Sequence, residues 1–219
     1  MNFDLQAHAP TILIILTVIT SVIGFNNIDF RNRYVFNVSA ILGRAKQWDR
    51  LLTSASLHSD WMHLFFNMYV LYNFAPFLTE IIGVWQFFVV YFASVIGGGL
   101  ASLWIHRREY YYTALGASGG VMGVLYAVIA IAPDITLRLF FIPIDIPAWL
   151  FGAAYLAYSV YGMEKQSDNI GHDAHLGGAF VGMVLACVFI PQIITINTLY
   201  LGIMLVPLIA VGYFVWKKK

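Results

Sequence analysis

The sequence predicts an all-α fold, a polytopic bundle of helices that cross a membrane. Of the 219 residues, 60% are hydrophobic and only 11% are charged, and the mean hydropathy is +0.76, which lies outside the range of soluble domains. The apolar residues form continuous runs separated by short polar breaks. Because backbone groups in lipid must bond internally, such runs are expected to be helices, and they lack the alternation of a membrane barrel.

Seven apolar segments are candidates for the membrane-spanning helices, since a span needs roughly 17 to 25 residues. They cover residues 10–25, 61–78, 84–105, 115–132, 146–161, 174–190 and 193–216. Residues 1–9 carry no Lys or Arg and no small-residue cleavage site follows the first segment, so we expect that segment to stay as an anchor. The long connection at residues 26–60 mixes basic and aromatic side chains, which predicts short amphipathic helices at the membrane interface.

The charge argues against one class of function, and the cysteine content excludes one kind of covalent link. The net charge is +1, so no basic patch or stripe supports nucleic-acid binding. Cys187 is the single cysteine, so an intramolecular disulfide is impossible, and its place in an apolar run predicts a buried small hydrophobe. We expect no cofactor and no metal, and the oligomeric state stays open.

Helix parity brings three polar residues together. If all seven segments span, the second, fourth and sixth run in the same direction, so their N-terminal ends emerge at one surface. These ends carry His63, Ser118 and His175. Asn67 lies four residues after His63 and therefore on the same helix face. Because ionisable residues within a membrane are costly, we expect a functional site at this surface.

A serine beside a histidine predicts nucleophilic catalysis. The imidazole of His175 would take the Ser118 hydroxyl proton as the oxygen attacks a carbonyl, and would return it to the leaving amine. The oxyanion needs donors, which the free Ser118 amide at a helix start and the side chains of His63 and Asn67 can supply. Close approach of segments four and six is predicted by glycines at four-residue spacing, Gly116 and Gly120, Gly119 and Gly123, and Gly178 and Gly182.

Several motifs together resemble the rhomboid intramembrane serine proteases. Residues 116–119 (Gly-Ala-Ser-Gly) resemble the family's Gly-x-Ser-Gly nucleophile motif, and residues 174–182 are similar to its Ala-His-x-x-Gly-x-x-x-Gly base helix. The spacing of His58, His63 and Asn67 matches the segment-two pattern of the family. Trp48 and Arg50 are similar to a Trp-Arg feature of the first loop, with Asp49 inserted, and Glu80 and Gly83 fall where the family has a Glu and a Gly.

The resemblance, over roughly residues 10–190, implies a Ser-His dyad that cleaves transmembrane protein substrates within membrane lipids. It assigns Ser118 as nucleophile, His175 as general base, and His63, Asn67 and the Ser118 amide as the oxyanion hole. Supporting residues are Gly116, Gly119, Met122, Gly178, Gly182 and His58. It also implies a six-helix catalytic core in residues 1–190 and an additional C-terminal helix with a lysine tail in residues 191–219.

Two features depart from the family pattern. Met122 stands four residues after Ser118, where the family commonly has an aromatic residue against the base, and a thioether orients an imidazole less well. The family places the site face outside the cytoplasm, in a prokaryote across the cell membrane. The Lys and Arg residues cluster on the site side, with only Arg138 opposite, and the positive-inside rule then favours a cytoplasmic site.

Other interpretations of these residues remain open at this point. His58 fits an interfacial position as well as a role near the site, and His106 fits an interfacial charge cluster. His172 and His175 share a helix face that could suit a metal, but no cysteine accompanies them. Asp173 is adjacent to His172 and does not face it, so it is not expected to complete a triad.

The alternative function is a non-catalytic rhomboid-like protein that binds or chaperones transmembrane helices. Loss of Ser118 or His175 would be its signature, and both are present. A small transporter is a further alternative, although its polar residues should lie near the bilayer midplane and not at helix ends. Residues 162–171, polar and bounded by glycines, are a candidate flap over the site.

Overall fold

The structure is a computed structural model that describes residues 5–139, 142–165 and 170–217. It confirms the predicted class, because each of the seven predicted segments is mainly helical, although the last is interrupted at Asn197. The helices are α1 (Leu5–Asn26), α2 (Ile28–Tyr34), α3 (Val38–Leu42), α4 (Arg50–Thr53), α5 (Trp61–Ile82), α6 (Val84–Ile105), α7 (Ser118–Ile131), α8 (Ala148–Lys165), α9 (His172–Phe189), α10 (Ile193–Ile196) and α11 (Thr198–Lys217).

Length and apolar composition single out three described stretches as able to cross a membrane by themselves. These are His8–Asn26, Val84–Ile105 and His172–Phe189, and Ser118–Ile131 and Thr198–Ala210 are shorter apolar helices. α6 matches the predicted segment at both ends. Its start is set by Gly83, which ends α5 with a φ of 86°, a conformation that L side chains rarely adopt.

The first loop contains the short helices that its composition predicted, α2, α3 and α4. Arg50 organises this loop from a buried position. Its guanidinium donates to the Asn32 carbonyl at 2.9 Å, to the Val35 carbonyl at 2.5 Å, and to the Gln47 side chain at 2.6 Å. The loop is therefore packed on itself.

Four short strands correct the expectation of helices alone. β1 (Phe36–Asn37) pairs antiparallel with β2 (Thr113–Ala114), and β3 (Thr136–Leu139) pairs with β4 (Ile142–Pro147). The predicted starts of two segments were wrong for this reason. The fifth helix begins at Ala148 because residues 142–147 bond in β4, and the fourth begins at Ser118 because residues 113–114 bond in β2 and Gly116 has a φ of 135°.

The core centres on α7, whose residues from Gly119 to Ala130 are buried on every side. α6 and α9 pack on it through glycines, and α5 and α8 complete the wall. Cys187 on α9 is half-buried, not fully buried as expected. α11 packs against α8 and buries Met204, while Asn197 before it donates to the Ala130 and Ile131 carbonyls at 2.8 and 3.1 Å. The division of the chain near residue 190 stays a prediction.

Candidate active site

One open cavity of about 1900 Å³ lies where the N-terminal ends of α5, α7 and α9 meet. The three residues that helix parity assigned to one surface, His63, Ser118 and His175, all line it. Asn67 lines it as well. Gly116, Gly119 and Met122 also lie in its wall, whereas Gly178, Gly182 and His58 are not among its lining residues in the described part of the chain.

The backbone that leads into Ser118 is held at two consecutive amides. The Gly116 N–H donates to the Ser54 carbonyl at 3.0 Å, and the Ala117 N–H donates to Nε2 of His58 at 3.4 Å. Gly116 cannot be replaced without strain, because a Cβ there would lie 2.8 Å from Nε2 of His63. Ser118 is therefore presented at the start of α7 by a backbone with little freedom.

His58 is a buried support and not an interfacial residue, so the interfacial interpretation was wrong. Its side chain is 2% exposed, and Nδ1 lies 2.8 Å from Ser21 Oγ, which itself donates to the Ser56 carbonyl. The Ser21 hydroxyl proton is thus committed, so His58 carries its own proton on Nδ1 and accepts from Ala117 at Nε2. Burial, together with His63 nearby, lowers the pKa of His58 to about 3, so it stays neutral.

A hydrogen-bond chain fixes the ring of His63. The Ser59 hydroxyl donates to Asp60 at 2.6 Å, and Nδ1 of His63 lies 3.0 Å from the same hydroxyl oxygen. The hydrogen bonds from Ser59 and from the His63 backbone hold the pKa of Asp60 below its usual value, so the carboxylate accepts. Nδ1 of His63 is therefore turned to Ser59, which leaves Nε2 as the ring nitrogen nearest Gly116.

Two further hydrogen-bond donors belong to residues that line the cavity, Asn67 and Ser118. Asn67 donates one amide hydrogen to the His63 carbonyl at 2.9 Å, and its nitrogen carries a second hydrogen. The first intrahelical bond of α7 is accepted by Ala117 from Val121, so the Ser118 amide belongs to the helix start, where N–H groups have no intrahelical partner. Both groups are of the type that stabilises an oxyanion.

Close approach of α7 and α9 is confirmed, with a change in which glycines make it. A Cβ on Gly178 would lie 2.1 Å from the Gly119 carbonyl oxygen, and one on Gly182 would lie 2.1 Å from that of Gly123. Gly120 instead faces Tyr91 and Val95 of α6, and Gly116 lies outside the helix. The helix that carries Ser118 and the helix that carries His175 are therefore in backbone contact directly after Ser118 and about one turn after His175.

The base helix also carries residues whose positions differ from expectation. His106, expected at the interface, is buried, stacks on Tyr112 with ring centroids 3.6 Å apart, and places Nε2 3.3 Å from Asp173. Its Nδ1 lies 2.9 Å from Glu109. Asp173 thus pairs with the end of α6 and not with a residue of the dyad. His172 packs against the backbone of Gly162 at the end of α8.

Sequence reasoning missed Tyr155, which lies on an odd-numbered segment outside the parity argument. Its hydroxyl lies 2.8 Å from Nδ1 of His175. The available signal was chemical, because a tyrosine inside an apolar run needs a partner for its hydroxyl. Of the candidate flap at residues 162–171, the first four residues belong to α8 and residues 166–169 lie outside the described part of the chain.

Comparison with known proteins identifies the family of this chain. Residues 45–192 match the family model of the rhomboid domain. The protein named "Rhomboid protein 1, mitochondrial" of Saccharomyces cerevisiae is 33% identical over 137 residues, covering 61% of this chain and 40% of that protein. "Presenilin-associated rhomboid-like protein, mitochondrial" of Homo sapiens is 33% identical over 139 residues, covering 61% and 36%.

A plant relative gives the same picture: "RHOMBOID-like protein 12, mitochondrial" of Arabidopsis thaliana is 32% identical over 151 residues, covering 61% of this chain and 44% of that protein. The chain thus spans about two fifths of the length of the curated relatives it matches. The matched family model covers more than half of this chain and includes all three helices that line the cavity with His63, Ser118 and His175. The chain belongs to the rhomboid family.

Proposed function

We propose that this protein is an intramembrane serine endopeptidase that hydrolyses peptide bonds in or near transmembrane segments of other proteins. The observation that carries the proposal is the shared cavity: Ser118 and His175 line it from adjacent helix starts, beside His63 and Asn67. The substrate class follows from the setting, since a site at the end of membrane helices meets segments that lie in lipid. Membrane lipids surround both partners.

The reaction would proceed through an acyl-enzyme. Ser118 Oγ attacks the scissile carbonyl while His175 takes its proton, and the negative charge moves to the carbonyl oxygen. The C–N bond then breaks, the proton passes from His175 to the leaving amine, and an ester joins the substrate to Ser118. Water, deprotonated by His175, attacks the ester and releases the acid, and Ser118 regains its proton.

The oxyanion would be held by the Ser118 amide, the Asn67 side chain and His63. The Asp60–Ser59–His63 chain supports this role, because it turns Nδ1 of His63 to Ser59 and leaves Nε2 beside Gly116 in the cavity. His63 would donate to the oxyanion from Nε2, in the tautomer that carries its proton there. Gly116, Gly119, Met122 and His58 would shape the site and hold its backbone.

The test is cleavage of a reporter transmembrane substrate by purified protein in detergent. Ser118→Ala and His175→Ala should each abolish cleavage, and His63→Ala or Asn67→Ala should lower the rate by about 10²-fold. Ser39→Ala is the matched control, because the Ser39 hydroxyl bonds to Asn37 in the first loop and Ser39 is not among the described residues that line the cavity.

The outcomes separate the hypotheses. Cleavage retained by either dyad variant would show that the nucleophile or base is another residue. A folded wild-type protein that binds the substrate, does not cleave it, and is not labelled at Ser118 by a fluorophosphonate would instead be the non-catalytic helix-binding protein. Full rates in both oxyanion variants would remove that role from His63 and Asn67.

The orientation that goes with this proposal puts the site face outside the cytoplasm, across the cell membrane in a prokaryotic host. The distribution of Lys and Arg favours the opposite orientation. A Cys187→Ser background allows single cysteines to be introduced at Arg44 on the site side and at Asp145 on the other side, both of which are exposed. An impermeant maleimide applied to intact cells should label Arg44→Cys and spare Asp145→Cys, and the reverse pattern would overturn this orientation.

A further inference from the structure

We propose that Tyr155 of α8 is the positioning residue for His175, occupying the place next to the imidazole that an acidic residue holds in a catalytic triad. This inference rests on the proposed function, since it concerns the base of that reaction. The nearest carboxylate in sequence, Asp173, pairs with His106 on another helix. The structure therefore assigns the Nδ1 side of His175 to a neutral hydroxyl.

The contact combines a hydrogen bond with ring packing. Tyr155 Oη lies 2.8 Å from Nδ1 of His175, an ordinary hydrogen-bond length. The two rings have centroids 6.0 Å apart and planes inclined by 26°. Phe151, one turn earlier on α8, stacks on Tyr155 at 6.0 Å and supports the ring from behind. Position and tilt of the imidazole are thus both constrained from α8.

The tautomer of His175 gives this contact a catalytic consequence. A general base must present an unprotonated nitrogen to the serine, and with Nδ1 turned to Tyr155 that nitrogen is Nε2. The neutral ring has a single N–H, so the reactive tautomer is the one in which Nδ1–H donates to the Tyr155 oxygen. As His175 takes the Ser118 proton on Nε2, the same Nδ1–H becomes a charge-assisted donor and the bond strengthens.

α8 is fixed against its neighbours on both sides of Tyr155. The Tyr126 hydroxyl of α7 donates to the Gly152 carbonyl at 2.7 Å, three residues before Tyr155. Gly162 lies seven residues after Tyr155, and His172 packs so closely on it that a Cβ on Gly162 would lie 2.1 Å from Nε2 of His172. The first contact ties α8 to the helix of Ser118 and the second ties it to the helix of His175. Tyr155 is therefore held in register with both members of the dyad.

The residue one turn after Ser118 makes support from another helix useful. Met122 is a flexible thioether in the cavity wall, and such a side chain constrains a neighbouring ring less than an aromatic does. Tyr155 supplies an aromatic face and a hydrogen bond from a different helix. The ring of His175 thus receives both an aromatic contact and a hydrogen bond from α8.

The test compares Tyr155→Phe with Tyr158→Phe in the cleavage assay. Tyr155→Phe keeps the ring and removes the hydroxyl, so kcat should fall about 3- to 10-fold, the loss of one neutral hydrogen bond. KM should not change, and the rate of fluorophosphonate labelling of Ser118 should fall by the same factor. Tyr158→Phe is the matched control, because Tyr158 lies on the same helix and contacts the ring of His172; it should keep the wild-type kcat.

The measurements distinguish positioning from packing and from failure of the whole proposal. End-point labelling counts competent sites, so kcat is expressed per labelled site and unfolded protein does not contribute. Wild-type kcat and labelling rate in Tyr155→Phe, or a change confined to thermal stability and KM, would overturn the positioning role. If Ser118→Ala still cleaves, the proposed function itself fails, whatever the Tyr155 result. Loss of cleavage in Ser118→Ala with full activity in Tyr155→Phe removes only this inference.

Discussion

Gly178→Ala is the change that most directly tests how the dyad is assembled. A Cβ added at Gly178 would lie 2.1 Å from the Gly119 carbonyl oxygen, 2.8 Å from its carbonyl carbon and 3.0 Å from its Cα. All three atoms are backbone, so no side-chain rotation relieves the contact. To move from 2.1 Å to the 3.4 Å of an ordinary contact, α9 has to shift by about 1.3 Å relative to α7.

The magnitude follows from that displacement. Overpacking in a close-packed interior costs about 1–3 kcal/mol. A clash with backbone atoms, which no side-chain rotation relieves, should cost an amount at the upper end of that range. Alanine in a helix interior recovers about 1 kcal/mol relative to glycine, so the free energy of unfolding should fall by about 2 kcal/mol. Activity should fall more, since a displacement of about 1 Å between reacting groups lowers a rate by about 10²-fold.

Denaturation in detergent and fluorophosphonate labelling of Ser118 measure the two effects separately. Gly202→Ala is the matched control, because Gly202 lies in α11 and a Cβ there meets nothing within 4 Å. The control should be as stable as wild type or slightly more stable, with an unchanged labelling rate. Wild-type stability and labelling in Gly178→Ala would show that helix contact at Gly119 does not set the distance between Ser118 and His175.

Two further predictions concern the first loop and the end of α6. Arg50→Lys should lower the free energy of unfolding by about 1–3 kcal/mol, since lysine cannot satisfy the carbonyls that Arg50 bonds; Arg33→Lys, at an exposed ion pair, should change it by less than about 1 kcal/mol. Burial lowers the pKa of His106, but the carboxylates of Asp173 and Glu109 outweigh burial and raise that pKa above 6.5. Stability from the protonated ring is fully present below 6.5, the unfolded value, and is lost as pH rises from there through the raised pKa, so the free energy of unfolding should fall over that range in wild type and not in His106→Gln. Equal pH dependence in the two proteins would refute the His106 assignment.

Much of the fold could be predicted because the membrane simplifies the physical problem. Continuous apolar runs that must satisfy their own backbone hydrogen bonds can only be helices, so α6 was predicted at both ends. The predicted segment ends were wrong where residues form short strands, as in β4 before α8. Pairing of residues 136–139 with 142–147 depends on contacts between two extended stretches, which an apolar count does not represent.

The candidate site could likewise be predicted only in part. Parity alone brought His63, Ser118 and His175 to one surface, because consecutive spans alternate in direction. The hydrogen-bond partners of the site histidines could not be predicted, since most of them come from other elements of the fold. They are Ser21 for His58, Ser59 for His63 and Tyr155 for His175.

The sequence by itself determined that this chain crosses a membrane, where its helices begin to within a few residues, and which polar residues share one membrane face. These properties depend on local composition and on the count of spans. The tertiary structure decided which glycines bring α7 and α9 into backbone contact, that His58 is a buried neutral support, and which hydroxyl groups lie against Nδ1 of His63 and Nδ1 of His175. Those properties depend on the distance and direction between side chains of different helices, and only packing determines them.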